Sequence, residues 1–225
     1  MVRLVKLNHE AIQGIYGKDG KQFAKRMAFL HPDAAIAFWL LPDITLSDMW
    51  RSASASHSRW VKNPRIAKPP AYSAHNFGLA IDVAVTQTLD DLGLTKPELD
   101  EIMRTHGWWC HRMDGKRRAE EWHYNYLGQD HEQPKNESRT AAAIERKIKA
   151  MYEHQWLAMD TAEVQRALSE RGLYLGEVDG LIGQQTINAV RNFQQMWTLK
   201  PDGVAGPKTC RLLWFVDWSA PFSSR

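Results

Sequence analysis

YSAHNFGLAIDV, residues 72–83, changes character at its midpoint. From Leu79 the chain continues as LAIDVAV to position 85, an apolar run of β type, and side chains along a strand alternate between its two faces. Leu79, Ile81 and Val83 then share one face, with Ala80 and Asp82 on the other. An aspartate in so apolar a strand costs free energy unless it is paired or ligates a metal. His75 stands just before the strand, within reach of the same place. Downstream, Glu120-Glu121-Trp122-His123-Tyr124 supplies a second histidine with carboxylates beside it. Two histidines and one carboxylate form a three-ligand set that leaves the fourth position of zinc open for water.

Outward from this strand the pattern is mixed. Positions 21–41 read as helical, and ITLSDMW at 44–50 reads as a second strand. Thr95 and Glu98 form a capping box for a helix with Leu99, Ile102 and Met103 on one face, stopped by Gly107. Strands mixed with separate helices predict an α+β fold rather than repeating βαβ units. A polar stretch, QDHEQPKNES, breaks the composition around 133–136. The helical TAAAIERKIKAMYEHQW follows, with Ile144, Ile148, Met151, Tyr152 and Trp156 near one stripe. Its basic side, Arg146, Lys147 and Lys149, is diluted by Glu145 and Glu153, which favours a linker helix docked on protein over a membrane-active one.

The last third repeats itself. Asp179-Gly180-Leu181-Ile182-Gly183 with Thr186 recurs as Asp202-Gly203-Val204-Ala205-Gly206 with Thr209. Asp-Gly makes a tight turn, and the second glycine opens the next helix, where Pro207 suits the first turn. Ile187, Val190 and Phe193 align with Cys210, Leu213 and Val216, which makes Cys210 a core thiol. An earlier helix has Asp160 as N-cap, Glu163 at the capping-box position and Gly172 as its stop. The domain expectation is therefore an N-terminal domain over 1–133 with a small antiparallel sheet and flanking helices, a linker helix over 134–158, and a C-terminal three-helix bundle over 159–225.

Composition narrows the function classes. The chain has 225 residues, 44% of them hydrophobic and 24% charged, an ordinary globular balance. Its formal charge of +3 comes from 29 basic and 26 acidic residues, with no block of like charge to coat a nucleic acid. Its longest apolar run, AAIAFWLL at 34–41, is too short to span a bilayer, so no stable membrane insertion is expected. Two cysteines, Cys110 and Cys210, do not make a disulfide framework. The N-terminal MVRLVKLNHEAIQGIYG lacks the features of a secretory signal, so synthesis in the cytoplasm is expected. Ten tryptophans suit core and rim packing first, and carbohydrate stacking second.

The pattern S-x-H-x-x-G-x-A-x-D is filled by Ser73, His75, Gly78, Ala80 and Asp82, and E-x-x-H by Glu120 and His123. Over about Leu41 to Tyr126 the chain resembles the zinc-dependent D-alanyl-D-alanine carboxypeptidase family, which includes the L-alanyl-D-glutamate peptidases of phage endolysins. The resemblance implies one Zn2+ held by His75, Asp82 and His123, with Glu120 as catalytic base. Spacing leaves the neighbouring Glu121 open as an alternative base. Trp50-Arg51-Ser52 matches the place of a family arginine, which implies that Arg51 binds a substrate carbonyl or carboxylate and is catalytic, holding the oxyanion together with zinc; Ser73 is a second substrate-binding candidate. The chain departs from the family after Gly107-Trp108, where Trp109-Cys110-His111 replaces a glycine-rich stretch and adds two possible metal-binding side chains. From Asp160 to Trp214 the chain resembles a peptidoglycan-binding domain, through VQRALSERGLYLGEVDGLIGQQTINAVRNFQ and PDGVAGPKT.

Together these resemblances imply a monomeric, two-domain peptidoglycan hydrolase of endolysin type that cuts a stem-peptide amide, L-Ala-D-Glu by preference. It would stay in the host cytoplasm until a holin-type route released it to the wall. The alternatives are a D-alanyl-D-alanine carboxypeptidase and a non-catalytic wall-binding protein.

Overall fold

The computed structural model describes residues 3–7, 28–111, 120–131 and 138–219, and the chain divides into two compact units. Residues 1–51 and 72–148 make the first; residues 52–71 and 149–225 make the second. The sequence-based boundaries differ from this division in two respects, the first being that they set 134–158 apart as a linker, which the division splits after residue 148. They also leave 52–71 inside a continuous first domain, whereas that stretch groups with the C-terminal unit.

The first unit is built on an antiparallel sheet of β3 (Leu46–Asp48), β4 (Ala80–Val83), β5 (Trp108–His111) and β6 (Glu120–Tyr126), in spatial order β3-β4-β6-β5. A short antiparallel ribbon pairs β1 (Val5–Lys6) with β2 (Phe29–Leu30). All four residues of β4 are buried, as a central strand covered on both sides requires. This makes the Asp82 environment apolar on its own strand. The β4 strand stops at Val83, earlier than the run to position 85 predicts. Ala84 instead leads into α3 (Val85–Leu92), with its N–H donated to the Thr45 carbonyl at 2.7 Å.

The helix expected over 21–41 is also shorter. Phe29 and Leu30 are strand, and α1 runs Pro32–Trp39; positions 21–27 lie outside the described residues. Pro32 explains the start, because it disfavours helical backbone at His31 and suits the first helical position itself. The helix α4 (Lys96–Thr105) forms as predicted, with the Thr95/Glu98 capping box complete. It packs against β5 and buries Leu99 and Met103 completely. The helix α5 (Ser138–Leu157) runs from one unit into the other. Ala143, Ile144 and Ile148 are buried in the first, and Tyr152 and Trp156 in the second. None of the described helices is long and apolar enough to cross a membrane.

The second unit holds α2 (Ala53–Lys62), the end of α5, and α6 (Thr161–Ser169), α7 (Gln184–Met196) and α8 (Pro207–Ser219). The three-helix bundle is therefore present but extended by the 52–71 excursion, with α2 against α8. Asp160 and Glu163 make the predicted capping box. Val190, Phe193, Cys210 and Leu213 are core, while Ile187 and Val216 are only half-buried. Burial pushes the Cys210 thiol pKa up, in keeping with an inert thiol. Each repeated Asp-Gly turn is pinned by a buried glutamine. Gln165 accepts from the Gly180 N–H at 2.8 Å and donates toward Asp179 and the Leu181 carbonyl. Gln194 does the same with the Gly203 N–H at 2.9 Å, Asp202 and the Val204 carbonyl.

Candidate metal centre

Strand register brings the central pair together. Asp82 on β4 lies directly opposite His123 on β6, and the Asp82 Oδ1 to His123 Nδ1 distance is 2.7 Å. His75 reaches the same point from a single 3-10 turn, Ala74–Phe77, that precedes β4. Its Nε2 is 3.1 Å from His123 Nδ1 and 3.3 Å from Asp82 Oδ1. The three ligand atoms lie within 4.8 Å of one another. Gly78 ends the turn with φ +64°, and a Cβ there would stand 2.6 Å from the His31 nitrogen. The turn that aims His75 can close against β2 only because this residue has no side chain.

The outer ring nitrogens fix what the inner ones present. His75 Nδ1 faces the Met49 carbonyl, which can only accept, so that nitrogen carries the proton. His123 Nε2 meets Asn125 Oδ1 at 3.2 Å, likewise an acceptor. With both outer nitrogens protonated, His75 Nε2 and His123 Nδ1 turn lone pairs toward Asp82 Oδ1. Three acceptors at such short range repel one another unless a proton or a metal cation lies among them. Oriented histidines of this kind, each donating its other N–H to an oxygen, are the usual support of a metal ligand set. The donor set therefore fits a zinc ion: two imidazoles and one carboxylate, with room in its coordination for a further group.

Electrostatics differ between the two histidines: they favour the neutral form of His75 and the protonated form of His123, whose proton on the Asp82 side a cation would displace. Burial pushes the His75 imidazole pKa down, Arg51 adds to this, and Asp82 only partly opposes it. His75 is thus held neutral, as a ligand must be. Burial alone would raise Asp82, but the charges and hydrogen bonds of His75 and His123 hold it well below the usual carboxylate range. For His123, burial pulls downward, while the Asp82 hydrogen bond and the charges of Asp82 and Glu120 raise the pKa above its ordinary value.

Glu120 opens β6 and is half-buried; Glu121 is exposed. In a regular strand Glu120 and His123 would face opposite ways. The β5–β6 ladder is irregular here, passing from Cys110↔Tyr124 to His111↔Glu120, which leaves three residues of β6 unmatched. That irregularity lifts the strict alternation. Ser73 is half-buried at the start of the 3-10 turn, where its carbonyl accepts from the Asn76 N–H at 3.0 Å. Arg51 is tied to the site through two carboxylates. Its Nε and Nη2 are bound to Asp48 and Asp82, at 2.6 and 3.1 Å. Cys110 is half-buried on β5, its sulfur 3.8 Å from Lys96 Nζ, and is not among the clustered ligands; the side chain of His111 lies outside the described residues.

Sequence reading missed Asp48, Asn76 and Asn125. Asn125 carries a signal in hindsight, since it lies two residues from His123 on the same face. Asn76 supports the Arg51 carbonyl with its Nδ2 at 3.0 Å, a tertiary contact with no local pattern.

Residues 159–213 match the family model for a peptidoglycan binding domain. A 58-residue stretch, 26% of the chain, is 44% identical to 14% of the N-acetylmuramoyl-L-alanine amidase CwlM of Mycobacterium tuberculosis. The spore cortex-lytic enzyme of Bacillus cereus is 46% identical over 54 residues, 24% of this chain and 21% of that protein. Its counterpart in Bacillus subtilis is 46% identical over 55 residues, 24% of this chain and 18% of that protein. The chain thus covers about a fifth or less of each relative's length.

Proposed function

We propose that the chain is a peptidoglycan hydrolase whose first unit is a zinc metallopeptidase acting on the stem peptide and whose second unit holds it on the wall. The observation that carries this is the convergence of His75, Asp82 and His123, with both histidines turned inward by acceptors behind them. The similarity of 159–213 to a peptidoglycan binding domain supplies the substrate class. A zinc ion at this centre supplies Lewis acidity toward water and toward an amide carbonyl. Glu120, at the rim of the centre, accepts the proton of the attacking water and returns it to the leaving amine. Ser73, the residue that leads into the 3-10 turn, is the proposed second substrate contact.

The bond proposed is L-Ala-D-Glu. A carboxypeptidase trims stem termini and leaves the mesh intact, so a wall tether adds little to it. An endopeptidase works on an insoluble polymer, where tethering raises its effective concentration. The test is metal dependence of wall lysis. Chelation should abolish the clearing of a purified peptidoglycan suspension and added zinc should restore it. His123→Ala should lose bound zinc and activity together. An inactive His123→Ala protein that still bound one zinc per chain would count against the assignment.

A further inference from the structure

Asp48 and Asp82 face one another across the β3–β4 ladder, and both are buried, at 4% and 6% exposure. Like charges directly opposite in a ladder destabilise it. Arg51 spans the pair, with Nε on Asp48 Oδ2 at 2.6 Å and Nη2 on Asp82 Oδ2 at 3.1 Å. The other Asp48 oxygen accepts the Met49 N–H at 2.9 Å, which ties the aspartate to its own strand. The consequence falls on Asp82. Its Oδ2 is committed to the guanidinium, and its Oδ1 is the oxygen that meets His123 and His75.

We propose that Arg51, oriented by Asp48, is a positioning residue that presents Asp82 to the cation through one oxygen. The inference rests on the metallopeptidase reading of the centre and gives Arg51 a task other than contact with substrate. A planar fork holds two carboxylates in a fixed geometry, whereas a lysine ammonium is a point charge on a flexible stem and orients them less strictly. Without the fork, Asp82 is free to rotate, and the ligand set loses the fixed donor that the two histidines are built around. Partners of this kind commonly change metal affinity by about 10–100-fold when removed.

The experiment is a zinc titration of the full-length, metal-stripped protein against a chromophoric chelator, with circular dichroism to confirm the fold. Arg51→Gln and Asp48→Asn should each weaken zinc by about 10–100-fold. The double variant should be little worse than the weaker single one, because the two act as a unit. Arg51→Lys should fall between wild type and Arg51→Gln, and it decides the matter if the buried Asp48→Asn fails to fold. At saturating zinc, KM for a soluble stem peptide should be unchanged in the folded variants. Unaltered zinc affinity with a raised KM in Arg51→Gln would overturn the inference and make Arg51 a substrate contact. A wild-type protein that bound no zinc would overturn the metallopeptidase reading as well, and the same titration shows this before any variant is made.

Discussion

Glu120 and Glu121 differ by one position and by their surroundings. Glu120 is half-buried and its charge acts on His123, while Glu121 is exposed. A base that moves a proton without ligating the cation should be separable from metal binding. Glu120→Gln is therefore expected to keep zinc and fold while losing roughly 10²–10⁴-fold in turnover. Glu121→Gln should stay near wild type; the reverse outcome would shift the register of the base by one. The cluster of His75, Asp82 and His123 was legible in part, because S-x-H-x-x-G-x-A-x-D spaces a turn, a glycine and an inward aspartate along one short segment. Arg51 was legible as a residue but not by its contacts. Asp48 becomes its partner through a bulge between Leu46 and Asp48 that no local pattern announces.

At the scale of elements, the repeated Asp-Gly turns show which signals a sequence carries. The glycines and the helix starts could be read, since turn chemistry is local. The glutamines that hold the turns could not, because Gln165 and Gln194 look like ordinary positions of amphipathic helices. Gln194 is 2% exposed and occupied at both ends of its amide. Gln194→Leu leaves the Gly203 N–H without its acceptor and should cost about 1–3 kcal/mol, read as a lower Tm for the C-terminal unit. An unchanged Tm would mean that water replaces the amide at no cost. The turn aspartates add a pH dependence. The Leu181 N–H and then Gln165 lower the Asp179 pKa, and the Val204 N–H and then Gln194 lower that of Asp202. Groups lowered in the folded state stabilise it above their unfolded pKa and lose that contribution as pH falls through the folded value. Stability of this unit should accordingly fall below roughly pH 4, the ordinary carboxylate range. The fall should be shallower in the Asp179→Asn/Asp202→Asn double variant, and an identical acid profile in that variant would exclude the turns as its source.

For the whole molecule, the repeat and capping signals marked the C-terminal bundle, and the path of the chain between the two units was not legible. Polar composition marks the break near 133–136, but residues 52–71 carry no such mark and still group with the C-terminal unit. The excursion begins immediately after Arg51, so the chain leaves the first unit at the residue that clamps Asp82 and re-enters at Tyr72, before His75. A candidate metal centre and a unit similar to a peptidoglycan binding domain make sense together if the chain cuts a polymer on which it is held. The direct measurement is mass spectrometry of purified peptidoglycan digested with the zinc-loaded protein. The account predicts new free amino groups on the stem-peptide glutamate, with alanine left on the glycan and turbidity falling. Release of free D-alanine with no fall in turbidity, or the same products after chelation, would contradict it.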